Sequence, residues 1–475
     1  MQTTTVSSAA RKRLALVAFT SLWLTACGGG GGGENTSAAP VPAPAPTAAG
    51  PAAASGTPTS APAPAPAPSP APSPATAAGP SAPATAPSPA PATSPAPAPA
   101  VAASPGAFGP EIVVTGVPQD DLAVARLAGG GSVVVWAEAG SVRARLTDAA
   151  GALVGDPFPV GAVVNNMPKQ SVTAAPDGGF LVLWMVETER AQSQFSGRVG
   201  IRAKRFSATG TALWETLVSG ADAQIIDRAV ARATPNGFVV GWTLKALFPM
   251  PSQGAMRLLA ADGTPVGSPV AVSQTDGAQQ LSVAPLQDGS FLAVWRSFLS
   301  NSAVYTRRFD AALVPIAPGL PVPGTESATD VSAETLADGN VGLAWSAGAN
   351  EVRSAVLSPV GTLVSAPQVS ATRLAPSSLA VLPFGTSGFG VAWQVLDGNY
   401  RSNSAEIWLR HFALAGTALD EPVQVESRLT FVVSGVTGAS VTAGSGYGIC
   451  SGPDGHFVAA FQRAGAQADT YLMGR

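Results

Sequence analysis

Seven copies of one short motif predict an all-β fold: a seven-bladed β-propeller of four-stranded antiparallel blades. In each copy a glycine turn leads into an apolar, β-rich run closed by an aromatic residue. The copies are Gly130–Trp136, Asp177–Trp184, Asn236–Trp242, Asp288–Trp295, Asp338–Trp345, Gly388–Trp393 and Asp454–Phe461. The tryptophans recur about every 48 to 58 residues, a spacing suited to one blade. A second observation is an unmatched strand-like segment, Pro110–Val114, ahead of the first copy, while the last copy stops after its third strand at Tyr471–Met473. Pairing the two would close the ring and remove a free edge.

Each element of the blade has its own signal. Before the glycine turn stands an alternating apolar segment, such as Leu122–Ala125 or Gln280–Ala284. After the aromatic a third strand ends in Arg145-Leu146, Arg205-Phe206, Arg308-Phe309 or His411-Phe412. A turn at Gly151, Gly210, Gly263, Gly361 or Gly416 follows, and a fourth strand such as Ser268–Val272 completes the unit. The fourth copy has Leu313 where the others have this glycine, and the seventh has no Trp. The tryptophans read as packing between blades, and the Arg-Phe pairs as an outer strand with Arg in solvent or on a neighbouring ring.

The chain of 475 residues divides into three parts: 1–26, 27–107 and 108–475. In the first, Arg11-Lys12-Arg13 precedes a short apolar run, Leu14–Leu24, that ends in Leu24-Thr25-Ala26-Cys27. This resembles the bacterial lipobox, which implies lipid on the Cys27 thiol and cleavage before it. With Gly28 and not Asp next, the resemblance implies sorting to the outer membrane. From Gly28 to Pro105 the chain is almost wholly Gly, Ala, Pro, Ser and Thr, too poor in large apolar groups to fold. Its Ala-Pro repeats favour extended polyproline II, so some ~70 residues reach on the order of 200 Å at about 3.1 Å each.

The repeat also resembles the Asp-Gly-Gly-Phe-Val-Val-Val-Trp and Arg-Phe-Asp-Ala repeats of large secreted bacterial proteins. Asp177–Trp184, Arg205–Gly210 and Arg308–Ala311 carry that wording. The resemblance implies export and a repeat fold, not an activity.

Composition excludes several functions. The net charge is −3 with 12% charged residues and no basic stripe beyond the N-terminus, so nucleic acid is not an expected partner. Two histidines, His411 and His456, stand in different copies, which leaves no His-rich metal site. With Cys27 lipidated, Cys450 has no disulfide partner and reads as a buried small hydrophobe. Gly-x-Ser-x-Gly and His-Glu-x-x-His are absent, and no cofactor is expected.

The long segments Met185–Gly200, Thr243–Ala255, Arg296–Ala303, Gln394–Ala405 and Ser427–Cys450 all belong to the second-to-third or blade-to-blade class of loop. Both classes emerge on one face, where binding residues concentrate. The candidates there are Glu187, Glu189, Arg190, Phe195, Phe248, Met250, Arg296, Phe298, Asn399, Tyr400 and Arg401. The function expected is a monomeric, lipid-anchored, non-catalytic binding or scaffold protein whose partner is a protein or a glycan. Two alternatives stay open. One is a polysaccharide-active enzyme at the propeller funnel. The other is a subunit of an outer-membrane assembly machine, because Thr209–Trp214 resembles the Thr-Gly-x-x-x-Trp element of the propeller lipoprotein in the β-barrel assembly machinery.

Overall fold

The computed structural model divides into two compact units, Met1–Ser94 and Pro95–Arg475. The described residues are 112–115, 120–162, 170–189, 198–220, 226–244, 252–273, 277–299, 301–348, 350–372, 376–396, 404–430, 447–451, 457–463 and 469–474. All lie in the second unit. Cys27 and the Pro/Ala-rich segment lie outside the described residues.

The strands follow the repeat. Strand β1 (Ile112–Thr115) precedes the first copy, which holds β2 (Asp120–Arg126), β3 (Ser132–Glu138), β4 (Ser141–Thr147) and β5 (Leu153–Ala162). The second holds β6 (Ser171–Ala174), β7 (Phe180–Glu189), β8 (Arg198–Phe206) and β9 (Ala212–Leu217). The third holds β10 (Ile226–Thr234), β11 (Gly237–Leu244), β12 (Gln253–Ala260) and β13 (Pro265–Ala271). The fourth holds β14 (Ala278–Pro285), β15 (Phe291–Ser297), β16 (Val304–Phe309) and β17 (Leu320–Pro321). The fifth holds β18 (Ala328–Thr335), β19 (Val341–Ala347), β20 (Glu351–Leu357) and β21 (Gln368–Thr372). The sixth holds β22 (Pro376–Phe384), β23 (Gly388–Leu396), β24 (Ser404–Phe412) and β25 (Val423–Thr430). The last holds β26 (Tyr447–Ser451), β27 (Phe457–Arg463) and β28 (Asp469–Gly474).

Every pairing is antiparallel, and all join neighbours in the chain except two: β25 with β27, and β1 with β28, with Ile112 opposite Leu472 and Val113 opposite Tyr471. The expectation of seven blades is corrected by the sheet pattern: the propeller has six. Five sheets have four strands each, and the sixth has eight. The join is made by β25, whose pairing with β24 is irregular at two places. The end of β25 lies against β27, where Leu429 pairs with Arg463, so the sixth and seventh copies form one sheet.

The core lies between successive copies. Along a strand, side chains alternate between the two faces of the sheet. Phe238, Val240 and Trp242 therefore pack on Leu181, Leu183 and Met185 of the second copy. Val239 turns the other way, onto Phe291, Ala293 and Trp295 of the fourth. Because both faces are covered, the second strands read as unbroken apolar runs. Trp136, Trp184, Trp242, Trp295, Trp345, Trp393 and Phe461 are all buried at the same repeat position. Burying a large apolar side chain contributes on the order of 1.5–3 kcal/mol, so this layer supplies much of the stability.

A cation on the third strand stitches most copies to the one before. Arg145 Nη1 donates to Val114 O at 2.7 Å, Lys204 Nζ to Val160 O at 3.0 Å, and Arg257 Nη1 to Val218 O at 2.9 Å. Arg307 Nη1 donates to Val272 O at 3.1 Å and Arg410 Nη1 to Val369 O at 3.0 Å. The arginines also hold their own fourth strand through Nε, on Gly155, Gly267, Ala317 and Asp420 carbonyls. The Lys204 ammonium likewise serves both strands, pairing with Glu215 of β9 at 3.3 Å. The fifth copy has Ala355 at this position, opposite Leu343 as Arg307 is opposite Ala293. There the matching carbonyl, Val322 O, accepts instead from Thr325 Oγ1 of its own copy at 2.6 Å.

Arg205 takes the second of the two expected placements, over a neighbouring ring and not in solvent. It is buried, donates to Phe180 O and Phe206 O, and pairs with Asp177. Its guanidinium also sits 5.7 Å from the Phe238 ring centroid.

Candidate functional site

The two faces of the propeller differ in kind. On one, the turns close on themselves: Gly130, Gly178, Gly289 and Gly339 each donate a backbone N–H to the carbonyl three residues earlier. Gly151, Gly210, Gly263, Gly361 and Gly416 do the same in the third-to-fourth turns. These glycines have φ between 80 and 87°, a region closed to most side chains. Leu313 takes the same place in the fourth copy at φ 63°, held there by burial of its side chain.

The opposite face carries a cleft of about 740 Å³ between the fourth and fifth copies. Three segments build it. Strand β15 runs out through Phe298 and Leu299 to Asn301 and Ser302. The link from β17 to β18 brings Glu326, Ser327, Ala328 and Thr329. The turn after β19 adds Gly348. Asn301, Ser302 and Ser327 all hold left-handed φ values of 53, 54 and 65°. Such backbone strain persists only where neighbours enforce it. Here Ser327 N donates to Asn301 O at 2.8 Å, Gly348 N to Ser327 O at 3.1 Å, and Val304 N to the buried Thr325 Oγ1 at 3.0 Å.

Arg296 closes the floor of this region. Its guanidinium donates to Gln279 Oε1 and, across the copy boundary, to Thr329 O at 3.0 Å. It follows Trp295; Thr243 and Gln394 follow their own tryptophans, are buried, and have Oγ1 and Nε2 without a hydrogen-bond partner.

Within the central ring, Arg232 of β10 reaches past β14 to pair with Glu334 of β18, with Nε to Oε1 at 3.0 Å. On the closed-turn face, His411 Nδ1 meets Asp420 Oδ2, and the imidazole packs 5.1 Å from the Phe384 ring. Among the described residues no group of three or more His, Cys, Asp or Glu is placed to hold a metal ion. Cys450 is half-buried and forms no disulfide.

Of the sequence candidates, Arg296 touches the cleft wall through Thr329 O, and Phe298, 60% exposed, stands three residues before Asn301. Glu187 is half-buried in β7 opposite Val199 of β8. Glu189 ends β7, where only its backbone is described. Arg190, Phe195, Phe248, Met250, Asn399, Tyr400 and Arg401 lie outside the described residues. The sequence reading missed Glu326 and Thr329, because it weighed loops by length and this link is short. The polar run Thr325-Glu326-Ser327 after Gly324 was the available signal.

Fold and site together define an all-β propeller with one closed face and one cleft-bearing face. No family model and no curated protein matches the chain. Among solved structures it is similar to the BP39L lectin of Burkholderia pseudomallei, at 11% identity over 73% of this chain and 93% of the lectin, with a TM-score of 0.49. It is also similar to an ulvan lyase of polysaccharide lyase family PL25, at 11% identity over 75% and 96% of the two chains, TM-score 0.47. A third is a catalytically inactive virginiamycin B lyase from Staphylococcus aureus, at 12% identity over 77% and 99%, TM-score 0.44. Identities this low leave ligand and activity unassigned.

Proposed function

We propose that this chain is a lipid-anchored, non-catalytic binding protein of the bacterial outer membrane, presenting the cleft-bearing face of its propeller to a protein or glycan partner. The observation that carries the reading is the asymmetry of the two faces. One is made of self-closed glycine turns; the other gathers polar side chains on strained, hydrogen-bonded loops around an open cleft. The anchor follows from Leu24-Thr25-Ala26-Cys27, and the Pro/Ala-rich segment after it would carry the propeller away from the lipid.

Fractionation of cells carrying Cys27→Ser, joined to crosslinking and co-purification, tests both halves. The expected result is loss of the variant from the membrane fraction and recovery of a partner crosslinked through the cleft-bearing face. Membrane recovery of the variant at the wild-type level would overturn the anchor. Crosslinks confined to the closed-turn face would overturn the assignment of the binding face.

A further inference from the structure

We infer that the cleft between the fourth and fifth copies is a subsite for a neutral or amino-bearing saccharide, an inference that rests on this face being the one presented to a partner. At this seam the third-strand cation that ties five other copies to the preceding one is replaced by Ala355, and Val322 O is taken by Thr325 of its own copy. The seam is held instead by Arg296 on Thr329 O, by Thr335 Oγ1 on Pro285 O at 2.6 Å, and by Ala333 N on Ser282 Oγ at 3.3 Å. The resulting space of about 740 Å³ falls within the ~300–1,000 Å³ typical of small-ligand sites.

The chemistry of the lining selects the ligand. Asn301 supplies an amide, and Ser302, Ser327 and Thr329 supply hydroxyls. These groups both donate and accept, which matches a polyhydroxylated surface. Phe298 and Leu299, exposed on the same loop as Asn301, offer apolar area to the C–H face of a sugar ring. Glu326 is the one charged residue of the lining. The nearby guanidinium of Arg296 is already engaged with Gln279 and the β18 backbone. The Glu326 carboxylate, which forms no ion pair among the described residues, disfavours uronates and sulfated sugars, accepts hydroxyl pairs, and attracts an ammonium group. The left-handed backbone at Asn301 and Ser302 is fixed by the Ser327 N bond to Asn301 O, which lowers the cost of ordering the loop on binding.

The test is isothermal titration of the full-length protein in detergent with hexamers of glucose, N-acetylglucosamine and glucosamine, and with polygalacturonate. Asn301→Gly and Glu326→Gln are titrated beside it. Glycine is chosen at 301 because it keeps a left-handed backbone while removing the amide, and a thermal melt confirms folding. Expected is binding of at least one hexamer, weakened tenfold or more by Asn301→Gly. Glu326→Gln should weaken the glucosamine hexamer at least fivefold more than the glucose hexamer. Absence of binding by every hexamer, indifference to Asn301→Gly, or preference for polygalacturonate would each overturn the inference. If the hexamers fail while in-cell crosslinking still finds a protein on this face, the saccharide subsite falls and the binding function stands. Failure of both removes both.

Discussion

Replacing Arg145 with Met tests whether cation stitching holds the ring closed. Arg145 Nη1 donates to Val114 O at 2.7 Å, and Val114 is fully buried in the closing strand β1. Methionine keeps most of the aliphatic stem and removes the guanidinium alone. A hydrogen bond from a charged group contributes roughly 1.5–3 kcal/mol, and a buried carbonyl left without a donor costs about 1–3 kcal/mol. The second bond, Nε to Gly155 O at 3.1 Å, is exposed and adds little. A loss of about 2 kcal/mol is therefore expected. At about 2.1 cal/mol/K per residue, a propeller of roughly 360 residues has an unfolding entropy near ~0.8 kcal/mol/K, so Tm should fall by about 2.5 °C. Amide exchange should rise first along β1 and β28, the strands that the latch secures. Arg353→Met is the control, because Arg353 makes a half-buried pair with Glu351 of its own strand and ties no neighbouring copy, so about 1 kcal/mol or less is expected. Calorimetry that finds Arg145→Met within 0.5 °C (roughly a fifth of the expected shift) of the parent, or Arg353→Met equally harmful, would refute the reasoning.

Three further outcomes follow from the same geometry. Gly388→Ala should lower stability severely, by about 3 kcal/mol or more, because Gly388 has φ 149° and an added Cβ would overlap the Phe412 carbonyl oxygen; a melting curve unchanged from the parent would contradict the turn geometry. Asp177, Asp262 and Asp288 have carboxyls held below the ordinary value. The causes are, respectively, the Gly179 N–H with Arg205, the Thr264 N–H and hydroxyl, and the Ser290 hydroxyl and N–H with Arg308. A carboxyl depressed in the folded state lends stability that is complete above its unfolded value of 3.8 and disappears as pH falls through the folded one. Asp177→Asn should therefore flatten stability against pH only below about pH 4, and a change confined to neutral pH would exclude this origin. Thr325→Val should loosen the outer edge of the fourth copy, since Thr325 Oγ1 both donates to Val322 O and accepts from Val304 N; faster amide exchange at Val304 with β8 unaffected is the expected reading.

Much of this protein is decided locally and is legible in its sequence. Alternation of side chains along a strand, the positive φ of turn glycines and the period of the aromatic residue depend on a few neighbouring residues. They identify the copies, the order of strands and the burial of Trp136 through Trp393 before any coordinates. The segment ahead of the first copy could be matched to β28 for the same reason: an unpaired strand at each end is visible in one dimension. Other features depend on what meets in space. That the sixth and seventh copies share one eight-stranded sheet follows from the pairing of Leu429 with Arg463, which no repeat count contains. The burial of Arg205 depends on Asp177 and on the ring of Phe238 from the next copy. The cleft is built from the β15–β16 loop, the link into β18 and the turn after β19, three segments far apart in the sequence. Pattern records which residues face inward; only the folded chain determines which carbonyl each cation finds and which loops meet.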